Sequence, residues 1–311
     1  MSVRILDEEQ VRQLLPMDEC IDVMADALAS LARGEMHNPL RFVVRPPDEP
    51  SLLGIMPAHR GGDAKVWGLK TVAIFPGNSA RGLDSHQGFV ALFDGETGQT
   101  RAIMNAGAIT AVRTAAVSGV ATRLLARPEA KTLALIGAGI QGHSHLDAMR
   151  AVREWDRVVV YSRTPGKLPG IEDAASAEEA VRDADVICTT TNATDPILKR
   201  EWLKPGVHIN AVGSSIPTTR ELDTETMRDA SLFVDRREST INESGDFRLA
   251  ELQPEHIRGE IGDLLLGAPG RTSDDEITVF KSLGLAVEDL AAAEHVLRRA
   301  EAENVGSVVS L

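Results

Sequence analysis

Residues 131–150 read KTLALIGAGIQGHSHLDAMR, and the fold turns on this stretch. A short apolar run, KTLALI at 131–136, passes through glycines into the helical pattern of 141–153. Gly137, Gly139 and Gly142 form a G-x-G-x-x-G across that junction. Alone, such spacing often marks an ordinary turn. Between a strand and a helix it is the arrangement that holds a dinucleotide. Gly137 permits the tight turn, Gly139 lets a pyrophosphate approach the backbone, and Gly142 lets the helix pack on its strand. Ile140 and Gln141 open the helix, whose N-terminal amides face the phosphates.

Moving outward toward the C-terminus, strands and helices alternate. RVVVY at 157–161, DVICTT at 185–190, VHINAV at 207–212 and the run 232–235 read as strands, and 176–184 and 223–230 as helices. This rhythm predicts parallel βαβ units and a doubly wound, Rossmann-type sheet of the α/β class. An acidic residue after the second strand would hydrogen-bond the ribose 2′-hydroxyl of NAD. This chain has Ser162-Arg163-Thr164 there instead. Arg163 can pair with a 2′-phosphate and the hydroxyls can add hydrogen bonds, which favours NADP(H), with NAD(H) as the alternative. The plainer reading of the three residues is a polar turn.

Toward the N-terminus the texture differs. Residues 17–31 have a helical apolar period; 42–44, 52–56, 68–75 and 88–93 read as strands; DGETGQT at 94–100 reads as a turn, with 101–104 pairing back as a hairpin. The small-residue run 107–126 is a helix that must end near Arg127 and Pro128, and 284–302 is an amphipathic helix. Lys70 lies in the apolar strand GLKTVAIF and Arg113 in the helix AITAVRTAAVSG. Cations seldom sit inside apolar elements unless paired. Arg41 lies between short extended runs and His86 opens a strand. Taken singly, each has an ordinary reading: a snorkelling lysine, a surface arginine, a structural histidine. Spacing alone does not bring the four together.

The chain has 311 residues, with 33 Lys and Arg against 46 Asp and Glu, for a net charge of −13. Its 43% apolar content excludes a wholly disordered chain. The acidic balance counts against nucleic acid. Residues 70–123 nevertheless carry five basic against three acidic side chains, so an anionic substrate is compatible with the whole. Two distant cysteines, Cys20 and Cys188, predict neither a disulfide framework nor a metal site. The charged N-terminus and the lack of a long apolar run predict a protein of the reducing cytoplasm, without a membrane partner.

From about residue 38 to about residue 291 the chain resembles the ornithine cyclodeaminase/mu-crystallin family. The resemblance rests on LGIMP at 53–57, SHQ at 85–87, ITAVRTAA at 109–116, the glycine loop 136–142, DPIL at 195–198, HINAVG at 208–213, RELD at 220–223 and VFKSLG at 279–284. It implies a homodimer built from a substrate-binding and dimerisation domain, 1–118 plus 286–311, into which a dinucleotide-binding domain, 119–285, is inserted. It implies that Arg41, Lys70 and Arg113 bind a substrate carboxylate, with His86 beside them. It adds Thr114, Thr190, Thr191, Val212, Gly213, Ser282 and Gly284 to the cofactor site.

The family's cyclodeaminases carry an aspartate where this chain has Ser215. A serine cannot act as a carboxylate base at neutral pH. The chain therefore resembles the reductase and dehydrogenase branch. The expected reaction is NAD(P)H-dependent reduction of a small 2-imino or 2-keto acid to an L-amino acid, with Lys70 and Ser215 as catalytic residues. The rival expectations are a cyclodeaminase-like lyase and a non-catalytic, NADP-dependent ligand-binding protein. An imino dicarboxylate would need an additional cation, for which Arg45 and His59 are close in sequence.

Overall fold

The computed structural model describes residues 2–310 and divides into two compact units, Met1–Arg113 with Leu285–Leu311, and Thr114–Gly284. The helix Ala106–Leu125 carries the first division within its length.

The first unit is built on a mostly antiparallel eight-stranded sheet. Its order is Ser307–Ser310, Ser2–Leu6, Thr100–Asn105, His86–Asp94, Val66–Ile74, Leu52–Arg60 and Met36–His37, with Phe42–Val44 also paired to Leu52–Arg60. The hairpin over 94–100 forms as its sequence predicts: Asp94 accepts hydrogen bonds from the Glu96 and Thr97 amides and the Thr97 hydroxyl. Register places Met56, Lys70, Val90 and Met104 in one row across four strands. All four are buried on the face covered by the helix Ala286–Glu303. Gly68 lies on that face too, and a Cβ there would come within 2.7 Å of Leu290, so glycine lets the helix approach the sheet. The helix Met17–Ala32 packs on the Ala286–Glu303 helix through Cys20, Ile21, Met24, Ala27, Leu28 and Leu31, a stripe at the helical period.

The second unit is an eight-stranded sheet in which every pairing is parallel. Its order is Glu172–Asp173, Arg157–Tyr161, Thr132–Ile136, Val186–Thr189, His208–Ala211, Thr278–Lys281, Ser231–Val234 and Ile257–Glu260. Buried central strands read as continuous apolar runs because helices cover both faces, and Val186–Thr189 and His208–Ala211 are buried throughout. The sequence reading supplies five of these strands. Thr278–Lys281 escapes it because the strand carries a lysine that is fully buried; Glu172–Asp173 is only two residues long; and Ile257–Glu260 carries Arg258 and Glu260 on an edge. Both cysteines are free and buried. Among the described residues, no helix is long and apolar enough to cross a membrane.

Candidate functional site

Thr132–Ile136 lies between Arg157–Tyr161, which follows it in sequence, and Val186–Thr189, which comes later. The chain thus reverses its winding direction at the C-terminal end of Thr132–Ile136, the position where open α/β sheets bind ligands. Gly137 sits there with φ +109°, and a Cβ would meet Thr190 at 2.8 Å. Its amide donates to the Tyr161 carbonyl, while the Thr190 amide donates to the Ile136 carbonyl, so three strand ends are tied together. A Cβ on Gly142 would lie 2.4 Å from the Gly137 carbonyl oxygen. A Cβ on Gly139 would meet nothing within 4 Å. Gly139 caps the helix Ile140–Val152 without a side-chain hydrogen bond, and no acidic residue occupies the first turn. Open space before uncapped amides suits a pyrophosphate, so these residues fit a dinucleotide.

Apart from Thr114, the other sequence-predicted cofactor residues follow the ends of neighbouring strands, as does the predicted catalytic Ser215. Ser162, Arg163 and Thr164 follow Arg157–Tyr161, with Arg163 exposed and the Ser162 hydroxyl donating to the Thr164 carbonyl. Thr190 and Thr191 follow Val186–Thr189; Val212, Gly213 and Ser215 follow His208–Ala211; Ser282 and Gly284 follow Thr278–Lys281. Thr114 is buried on Ala106–Leu125.

In the first unit, Lys70 and Arg113 meet on an acidic pair that sequence reasoning missed. Lys70 Nζ and Arg113 Nε both donate to Asp289 Oδ1, at 3.1 and 2.9 Å, and Arg113 Nη1 donates to Glu288 Oε2 at 2.8 Å. All four side chains are at most 4% exposed. Two cations and two carboxylates cancel within the cluster. Arg41 stands near enough for its charge to act on Lys70. Burial pushes the Lys70 ammonium down to about 8 against the attraction of Asp289, and Arg113 and Arg41 lower it further. A lysine titrating there can deliver a proton near neutral pH. His86 lies four residues along its strand from Val90, near enough for the Lys70 charge to act on it: partial burial lowers its pKa, Asp84 opposes that, and Lys70 adds to it. The Ser85 hydroxyl lies 2.9 Å from His86 Nδ1.

The family model of the ornithine cyclodeaminase/mu-crystallin family matches residues 2–304. The chain belongs to that family. Ketimine reductase mu-crystallin of Mus musculus is 42% identical over 281 residues, 87% of this chain and 88% of that protein. The structure of Thermococcus litoralis Delta(1)-pyrroline-2-carboxylate reductase in complex with NADH and L-proline superposes with a TM-score of 0.93 at 34% identity, covering 98% of this chain and 99% of that one. An archaeal alanine dehydrogenase dimer with bound NAD gives a TM-score of 0.94 at 35% identity, covering 100% of both chains.

Glu288 and Asp289 escaped the sequence reading for a physical reason. Acidic residues in the first turn of a helix read as partners of its dipole, and here they are also buried counter-ions. His59 stands three residues from Met56 on its strand, so it faces away from the Lys70 row and lies against Trp67, with ring centroids 4.2 Å apart. Arg45 is exposed outside the strands. Ser215 is partly buried, and its amide donates to the Gly213 carbonyl.

Proposed function

We propose that this family member is a nicotinamide-dependent reductase that converts a small 2-imino acid, or a 2-keto acid together with ammonia or an amine, into an L-amino acid. The observation that carries the reading is the buried Lys70, paired with Asp289 beside Arg113 and titrating at about 8. When bound, the nicotinamide cofactor supplies the hydride. Arg41 and Arg113 hold the substrate carboxylate, the arginine geometry favouring paired hydrogen bonds. A 2-keto acid first condenses with ammonia or an amine, losing water, to give the imine; the Lys70 ammonium gives its proton to the imine nitrogen as the adjacent carbon is reduced, leaving a neutral lysine amine that takes a proton back from solvent. His86 adds a polar group next to Lys70. Ser215 supplies a hydroxyl where a lyase of this family would need a carboxylate, which favours net reduction over loss of ammonia.

Arg163 at the end of the second strand of the parallel sheet favours NADP(H), although the two solved relatives described above bind NADH and NAD. A homodimer is supported by the outer face of the first sheet. There Trp67, Leu53, Phe89 and Phe42 project opposite the Lys70 row, and Trp67 is 49% exposed. An apolar face of this extent suits burial against a second copy, and the archaeal alanine dehydrogenase relative is a dimer.

A substrate screen tests the activity. NADPH and NADH oxidation are followed with pyruvate plus ammonia or methylamine, with cyclic ketimines, and with oxaloacetate plus ammonia; ornithine is run alongside with ammonia detection. Cofactor oxidation with an imino acid is the expected result. Ammonia release from ornithine without net cofactor oxidation would reverse the assignment.

A further inference from the structure

Another buried carboxylate, remote from Lys70 in sequence, sits at the edge of the parallel sheet where the glycine turn lies. Glu221 is fully buried and its side chain accepts four hydrogen bonds. Oε1 takes the Thr191 amide at 2.6 Å and the Thr191 hydroxyl at 2.8 Å. Oε2 takes the Thr189 hydroxyl and the Gly213 amide, each at 2.7 Å. One carboxylate therefore fastens the turns that follow two neighbouring strands, Val186–Thr189 and His208–Ala211. Gly213 is shaped to this contact, since a Cβ there would lie 2.5 Å from Glu221 Oε1 and 2.0 Å from the Thr191 carbonyl.

Glu221 is itself anchored from behind. Its amide and that of Leu222 donate to Asp246 Oδ1, at 2.7 and 3.0 Å. Asp246 Oδ2 lies 3.1 Å from Lys281 Nζ, which also donates to the Ala211 carbonyl. Asp246 and Lys281 are fully buried. A buried charged chain of this kind is retained only where its geometry is well satisfied.

Topology says what these turns border. Along the sheet edge the order is Arg163, then the glycine cradle, then Thr190 and Thr191, then Gly213. A dinucleotide held with its adenosine ribose at Arg163 and its pyrophosphate at Gly139 would direct its nicotinamide end toward the Thr191 and Gly213 turns. We infer that Glu221 is a positioning residue for the nicotinamide half of the cofactor, holding the two turns that form its subsite. This rests on the nicotinamide-dependent reading above.

Two ligands separate the halves of the cofactor. ADP-ribose, or its 2′-phosphate, occupies the adenosine and pyrophosphate positions but lacks nicotinamide. Affinities for it and for the reduced cofactor are measured by calorimetry, and the emission of the bound reduced nicotinamide is recorded. In Glu221→Gln the amide NH2 would face donors, so part of the four-bond set is lost. The expected result is ADP-ribose affinity unchanged within about twofold, reduced-cofactor affinity weakened about tenfold, and loss of the bound-state emission change. Thr189→Val removes one bond and preserves side-chain shape; it is expected to act in the same direction and more weakly. It is the variant to read if Glu221→Gln does not fold. Equal weakening of both ligands, or no change in either, would overturn the inference while leaving the reductase reading intact. A wild-type protein that binds neither ligand would remove that reading and this inference with it.

Discussion

Replacing Asp289 with asparagine removes the counter-charge of a lysine that is almost out of contact with water. Lys70 Nζ is 3.1 Å from Asp289 Oδ1, and the two side chains are 3% and 1% exposed. Two unit charges at that distance attract by about 5 kcal/mol at an effective dielectric constant of about 20. Relaxation and the remaining dipole reduce what is realised, and opposite charges at such range typically move a pKa by about 1–3 units. The Lys70 ammonium stands at about 8 with the carboxylate in place. Without it the value falls to about 5–7. The sign follows directly: the lost partner favoured the charged form, so the proton leaves at lower pH. At about pH 7.5 the protonated fraction falls from about three-quarters to about one-quarter or less. The assay is kcat/KM against pH, from about 5.5 to about 9.5, for wild type and Asp289→Asn. The alkaline limb is expected to shift down by about 1–3 units, with activity largely recovered on the acid side. Titration of the substrate is common to both proteins and cancels in the difference. An equal loss at every pH, with the limb unmoved, would refute Lys70 as the proton donor held by Asp289.

Other substitutions test other parts of the site. Gly139→Val points into open space and is expected to leave the melting temperature near wild type while abolishing cofactor binding by fluorescence titration. Gly142→Ala drives a methyl against the Gly137 carbonyl and is expected to lower stability by about 1–3 kcal/mol in denaturant melts. Arg163→Ala is expected to raise KM for NADPH about tenfold or more and to leave NADH nearly unchanged, since only the former carries a 2′-phosphate; equal effects on the two would remove the NADP(H) preference. Trp67→Glu puts a charge on the exposed apolar face and is expected to convert the proposed homodimer to monomer in sedimentation velocity, without loss of helix by circular dichroism.

The parts of the site that were legible in the sequence are those with a local cause. Gly137, Gly139 and Gly142 announce themselves because backbone geometry at one turn requires glycine, and all the relevant atoms lie within a few residues. The alternating strands and helices of 131–235 follow from apolar runs short enough to be strands and from helical periods between them. Lys70 and Arg113 were conspicuous as cations in apolar surroundings, yet their meeting was not readable. Asp289 lies 219 residues from Lys70 and 176 from Arg113 along the chain. Thr278–Lys281 and the anchoring role of Glu221 were likewise hidden, because a charged side chain reads as exposed until its partners are known.

By itself the sequence determined the α/β alternation and the glycine turn, which are consequences of local sterics and of the period at which apolar residues recur. The carboxylate role of Arg41, Lys70 and Arg113 is what the resemblance to the family implies. Only the tertiary structure decided which charges face each other. Burial makes Lys70 a titrating group near neutral pH, Asp289 keeps it from losing its proton altogether, and Glu221 binds two strand ends into one edge. Each of these depends on desolvation and on distances of about 3 Å between residues far apart in the chain, and neither is encoded in any single segment.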